Sequence, residues 1–384
     1  MIGLILSYRG TNYGMMLQAF ATQHVLEKIG FQTEIISCRN TDTVVTKARK
    51  LLSPNNVKQS LRKRKRRIVV HSNKLISNAY NMRVNEGRKF VEKYLNSIKS
   101  FSNINELKEY AKKYSAVIIG SDQQWAPACF YSEINTLAFV PDGVKKISYA
   151  TSMGVSCIPS YTKKRLREFT KDFYRISVRE ETGKSIIESV TGRDDVKVNP
   201  DPTFLISTQE WEEIIPAQRL CDKEYIFCYL LGDSDAPLRA IEKYAKERNL
   251  EVIVVRNIEA YTSAPYNYGS TTVVEAPSVE EFVNYIRYAR LVCTDSFHAT
   301  VFSLINKSDF VTFYRTLSSD KNSRNSRIND LLEKFNLRNR ICEKSEDFNL
   351  KADIKIDFAD IDVKLEEMKK KGIHFLQEAL NDER

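Results

Sequence analysis

Short apolar runs recur along this chain, and nearly every one is followed by a polar loop and a segment of helical length. Gly3 to Ser7, Thr33 to Ile36, Ala116 to Ile119, Ile147 to Ala150 and Ile176 to Val178 are runs of this kind in the first half. Tyr225 to Leu231, Val252 to Val255, Leu291 to Cys293 and Phe310 to Phe313 continue the series in the second half. Short apolar runs of three to seven residues fit strands buried on both faces, and helical crossovers between them make neighbouring strands parallel. Between strands the helical spacing is clear. Leu17, Phe20, Ala21, Val25 and Ile29 line one face of a helix over about 15–29, which ends at Gly30. Further helices are expected at 104–114, 163–173, 236–248, 278–289 and 327–335. The pattern predicts an α/β protein of two doubly wound units with a crevice between them. Residues 1–205 form the first unit, 206–360 the second, and a helix within 361–384 packs back across both.

Charge divides the chain unevenly. Residues 47–93 hold 15 Lys and Arg against Glu86 and Glu92, a net +13 in a chain whose total is +10, so the remainder is −3. The basic character centres on Arg62-Lys63-Arg64-Lys65-Arg66-Arg67. Six consecutive like charges run right round a helix and form no face, and no nucleic-acid module or aromatic interleaving accompanies them. Leu61, Ile68, Val69 and Val70 flank the run, an arrangement better suited to an anionic membrane surface than to nucleic acid. A solvated excursion from the fold is the plainer alternative. No run reaches the roughly 20 apolar residues needed to span a bilayer. The seven cysteines are scattered without metal-ligand spacing, so reduced thiols, a cytoplasmic location and no obligatory metal are expected.

Four polar clusters lie just beyond the expected strands, where open α/β sheets bind ligands. Gly10-Thr11-Asn12-Tyr13-Gly14 opens the first helix, a placement also met in a plain tight turn. Gly120-Ser121-Asp122-Gln123-Gln124-Trp125 sets a hydroxyl, a carboxylate, two amides and an indole after one buried strand. Such hydrogen-bonding groups beside an aromatic face suit a sugar, although Trp125 fits a core position as well. Ser177-Val178-Arg179-Glu180 ends another strand. Thr294-Asp295-Ser296-Phe297-His298 supplies cap residues and a histidine in the first turn of a helix, whose free N–H groups attract anions. Asn325-Ser326-Arg327 precedes a last such helix.

Taken in order, these segments resemble the polysaccharide pyruvyl transferase family. The resemblance also includes Leu17-Gln18, Ser-Tyr-Ala-Thr-Ser-Met-Gly at 148–154, Asp-Pro-Thr at 201–203 and Asn-Ser-Arg-Ile at 325–328. It covers nearly the whole chain apart from the basic segment and the C-terminal end. Ala299 and Ala126 depart from it, standing where the family usually has glycine and often has asparagine. The resemblance implies a GT-B-like fold of two Rossmann-like domains facing a cleft, the first on the acceptor side and the second on the donor side. It implies transfer of the pyruvyl group of phosphoenolpyruvate, used as donor substrate without a further cofactor, onto two hydroxyls of one sugar. A cyclic ketal forms and phosphate leaves.

Phosphoenolpyruvate is a compact polyanion, so Arg179, Arg327 and the helix start at Ser296 are candidates to hold it. His298 is the first choice for acid–base work, with Asp122, Glu180 or Asp295 as the partner base. Asn12, Ser121, Gln123 and Trp125 are candidates for substrate contact, while Asp201 beside Pro202 is expected to shape the interdomain connection. The expected partners are phosphoenolpyruvate, a saccharide acceptor that is free or lipid-linked, and a membrane surface met through residues 47–93. A GT-B glycosyltransferase using a nucleotide sugar is the competing enzyme, and a non-enzymatic protein acting through the basic segment is the competing binder.

Overall fold

The computed structural model describes residues 1–41, 46, 53–258, 267–315 and 325–382, so residues 47–52 of the basic segment lie outside it. Two wholly parallel sheets organise the described chain. The first contains β1 (Ile2–Ile5), β2 (Thr33–Asn40), β3 (Ile98–Asn103), β4 (Ala116–Ile119), β5 (Lys145–Thr151), β6 (Arg175–Val178) and β7 (Lys197–Val198). Their order is β3-β2-β1-β4-β5-β6-β7. The second contains β8 (Tyr225–Tyr229), β9 (Glu251–Val255), β10 (Thr272–Val274), β11 (Leu291–Thr294), β12 (Phe310–Phe313) and β13 (Ile341–Cys342), in the order β10-β9-β8-β11-β12-β13. The central strands β1, β4, β8 and β11 are buried at every position, which is why they appear in sequence as unbroken apolar runs. The order reverses between β1 and β4 in one sheet and between β8 and β11 in the other. These two switch points leave crevices at the carboxyl ends of the strands.

An apolar seam joins the units. Phe20 of the first helix (Tyr13–Lys28) meets Trp211 at 5.7 Å between ring centroids, and Trp211 meets Phe302 of the second unit at 5.1 Å. Tyr13 stacks on Phe282 of the second unit at 4.4 Å and donates its hydroxyl to the Pro277 carbonyl. The helix Ala359–Asn381 spans both units, pairing Asp362 with Lys307 at its start, while Asp382, just past its end, pairs with Arg175. Gly372 lets that helix approach Tyr149 and Leu205 more closely than any side chain would allow.

The basic segment forms two helices, Pro54–Ser72 and Lys74–Tyr94, joined at Asn73. The second is no solvated excursion. Phe90 packs into the core beside Phe20 and Tyr94. Arg83 is wholly buried, donating from Nη2 to the carbonyls of Arg256 (2.7 Å) and Glu275 (3.2 Å) in the second unit. Its guanidinium also lies over the Tyr13 ring. A helix from a basic segment can still bury one face if a single cation finds backbone carbonyls, and Arg83 does so.

Candidate active site

The strand ends bring Arg179, Asp201 and His298 together across the boundary between the units. Arg179 follows β6, and its Nη1 donates to Asp201 Oδ2 at 2.6 Å while Nε donates to Glu180 Oε1 at 3.2 Å. Asp122 Oδ1 lies 3.9 Å from Nη2, which has no hydrogen-bond partner in the protein. Burial alone would push the guanidinium pKa down, but the Glu180, Asp201 and Asp122 carboxylates hold it above its ordinary value.

Asp201 is saturated. Its Oδ1 accepts from the Thr203 N–H and hydroxyl, and its Oδ2 accepts from Ser121 and Arg179. His298 Nε2 stands 3.3 Å from the same Oδ2. Burial pushes the Asp201 carboxyl up, yet the neighbouring His298 imidazole and Arg179 guanidinium hold it well below the usual carboxylate range. Asp201 therefore does more than shape the connection: it is the carboxylate shared by the histidine and the arginine. In the sequence, its place in the Asp-Pro-Thr motif at 201–203, between the two strand series, was the hint.

His298 comes from the helix Phe297–Ile305, capped by the Ser296 hydroxyl on the Ala299 N–H. Gly14 is essential to its placement, because a Cβ there would fall 2.1 Å from the imidazole. The Asn12 loop, with Asn12 capping the first helix through the Met15 N–H, thus lies directly against the histidine. Phe297 organises the cations: the Arg179 guanidinium sits 4.1 Å and that of Arg327 5.9 Å from its ring centroid. With its amide turned so that the oxygen faces the guanidinium, Gln123 accepts from both Nη atoms of Arg327, at 3.2 and 3.1 Å, linking a residue of the first unit to one of the second.

The helix that carries Arg327 (Ser326–Lys334) is fastened to the first unit. Asp330 accepts from the N–H and hydroxyl of Thr182, in the first turn of the helix Glu181–Thr191. Lys334, whose ammonium is lowered by burial, reaches the Arg179 carbonyl at 3.5 Å.

Asp122 carries backbone strain. At φ 66° and ψ −171° it occupies a region that is essentially glycine's, at a cost of about 1–3 kcal/mol. Hydrogen bonds from the Gln124 and Ser152 N–H groups to its carbonyl hold it there, next to the bridge with Thr151. The strain presents the carboxylate, partly exposed, beside Arg179.

Two expected site residues are engaged elsewhere. Trp125 has no exposed surface. It donates from Nε1 to the Asn135 carbonyl and meets Phe169 and Phe173 edge-on, so it has no free face for a sugar. Asp295 bridges the switch point of the second sheet, accepting from the Leu231 and Gly232 N–H groups and pairing with Arg315. Its carboxylate is occupied as a backbone clamp and is no free base.

The switch point of the first sheet holds a cavity of about 260 Å³, lined by Ser7, Tyr8, Arg9, Cys38, Gln124 and Asn135 among others. Gln124 donates to the Ser7 hydroxyl at 2.9 Å within it. Among the described residues, no group of three or more His, Cys, Asp or Glu side chains is placed to hold a metal ion.

The sequence profile of polysaccharide pyruvyl transferases matches residues 12–315 of the 384, a span that contains every residue of the cluster except Arg327. The chain belongs to the polysaccharide pyruvyl transferase family. It is thus a transferase, and a saccharide acceptor agrees with the family. Among curated proteins no sequence matches the chain. Among solved structures it is similar to a Listeria monocytogenes protein described as a UDP-N-acetylglucosamine 2-epimerase, with TM-score 0.55 and 10% identity over 99% of this chain and 95% of that one. It is similar also to the S. aureus MnaA–UDP co-structure, with TM-score 0.53 and 10% identity over 99% and 96%. Likeness at such low identity establishes the shared GT-B fold of this pyruvyl transferase family member.

Proposed function

We propose that the protein transfers the pyruvyl group of phosphoenolpyruvate onto two hydroxyls of one sugar in a cell-surface polysaccharide or its lipid-linked precursor. One observation carries this reading. Arg179 Nη2 is buried and makes no hydrogen bond with the protein, and it lies in one cluster with a histidine and a second arginine contributed from across the cleft. Leaving such a donor unsatisfied costs about 1–3 kcal/mol, which an anionic oxygen would recover.

Arg179 and Arg327 hold the donor's phosphate and carboxylate. Protonation of C3 makes C2 electrophilic, and the first sugar hydroxyl adds there. The C2–O bond to phosphate then breaks, and the second hydroxyl closes the ketal. Of the two hydroxyl protons, one ends on the new methyl group and the other on the departing phosphate. His298 Nε2 lies 3.3 Å from Asp201 Oδ2 without hydrogen-bonding to it, and the imidazole is the group placed for proton transfer. Asp122, the partly exposed carboxylate of the cluster, takes a hydroxyl proton. The cavity beside Gln124 and Asn135 receives the acceptor.

Phosphate release from phosphoenolpyruvate, measured for wild type and His298→Ala over a panel of saccharides with products checked by mass and NMR, tests this. Acceptor-dependent release that collapses in the variant, with a ketal in the product, is the expected result. Saturable binding of a nucleotide sugar in place of phosphoenolpyruvate would overturn the reading in favour of a glycosyltransferase.

A further inference from the structure

The helix Pro54–Ser72 contains seven Lys and Arg and no acidic residue. Its two sides differ. Val70 is buried, and the helix rests on the turn Pro127–Cys129 of the first unit. Val57, Leu61 and Ile68, spaced by four and seven residues, share the opposite side and are 43%, 61% and 60% exposed. Arg64 and Lys65 are exposed within the same stripe. Leu75 and Met82, seven residues apart on the following helix, are exposed at 60% and 51%. A soluble helix turns its aliphatic side chains inward, and this one turns three of them out among cations.

We propose that this face docks the protein on an anionic lipid surface, with Val57, Leu61 and Ile68 seated at the headgroup–acyl boundary and Arg64 and Lys65 against the headgroup charges. An outward aliphatic stripe framed by cations is the pattern of an in-plane interfacial helix. Nucleic acid would satisfy the charges but gain nothing from the valine, leucine and isoleucine, and among the described residues of this face its bases would find no aromatic side chain to stack on. The position adds a second argument. The turn Pro127–Cys129 under this helix leads into the segment that supplies Ile134 and Asn135 to the cavity of the first sheet. Docking through this face therefore sets that cavity beside the membrane, where a lipid-linked saccharide presents its sugar.

Flotation of the full-length protein with phosphatidylcholine vesicles, with and without about a quarter phosphatidylglycerol, tests the proposal. Wild type is expected to float only with the anionic vesicles. Leu61→Gln/Ile68→Gln and Arg64→Gln/Lys65→Gln, all at exposed positions, are each expected to lower partitioning about tenfold while leaving the far-UV circular dichroism unchanged. No flotation on anionic vesicles, flotation insensitive to the Leu61/Ile68 change, or retention of single-stranded RNA in preference to vesicles would each overturn it. Vesicle binding involves no turnover, so failure here and failure of the donor assay are separately readable.

Discussion

The two sheets treat their switch points in opposite ways. In the first, the ends of β1 and β2 and the Gln124 turn enclose an open cavity lined by neutral hydrogen-bonding groups with one arginine. In the second, the Asp295 carboxylate reaches across from β11 to the loop after β8 and ties the crossing with three hydrogen bonds and an ion pair. The strongest charges gather between the units, where Arg179, Asp201 and His298 share one carboxylate oxygen. A cavity with a single charged group suits a sugar, and a buried ionic cluster suits a small polyanion. Under the proposed reaction, the contrast would put the acceptor in the crevice and the donor in the ionic cluster.

Five substitutions would break or sharpen that contrast. The largest effect is expected at the cluster: His298→Ala should lower kcat for phosphate release about 10³-fold, and a fall of less than about threefold would remove the histidine from the chemistry. Asp201→Asn should cost about 3 kcal/mol in urea denaturation, because it withdraws the partner of two buried groups. The sign of its pH dependence follows from the depressed carboxyl. The native state binds fewer protons than the unfolded one, so this stabilisation is full above about pH 4 and fades as the pH falls below that towards the depressed native value. The stability gap between wild type and Asp201→Asn should therefore close in acid, and a gap that widens there would refute the pairing.

Asp295→Ala should cost about 2 kcal/mol by leaving the Leu231 and Gly232 N–H groups unsatisfied, with a far smaller loss of kcat than His298→Ala. Equal losses of kcat would make Asp295 a reacting group after all. Gln124→Ala should raise the acceptor KM about tenfold and leave the donor KM unchanged, and a donor-specific change would reverse the assignment of the two crevices. The smallest effect concerns strain: Asp122→Gly should raise the unfolding free energy by about 1 kcal/mol while lowering activity. Loss of stability at that position would mean that the carboxylate contributes more to the fold than its backbone costs.

Much of the architecture was legible because buried parallel strands leave continuous apolar runs. Ala116–Ile119, Leu291–Thr294 and Phe310–Phe313 stand where such runs stand in the sequence. The edge strands β3, β7, β10 and β13 were not legible. β3 buries only one of its six residues and the others are no longer than three residues, so burial on both faces did not shape them. Within the cluster, Arg179, His298 and Arg327 could be singled out because a cation or histidine beyond an apolar run has few structural uses. Trp125 and Asp295 illustrate the opposite difficulty. An indole can stack on a sugar or fill a core, and a carboxylate can accept a proton or clamp two N–H groups, with the same residue in the same motif.

By itself the sequence determined the class of fold, the family and the set of strand ends from which a site could be built, since these follow from local apolar periodicity and the order of short motifs. The tertiary structure alone decided which of those residues meet. Asp201 joins His298 because Gly14 leaves room for the imidazole, and Arg83 ties a basic helix into the second unit because two carbonyls happen to face it. Contacts between residues so far apart in the chain depend on how two sheets pack, and packing geometry leaves no periodic trace along the chain.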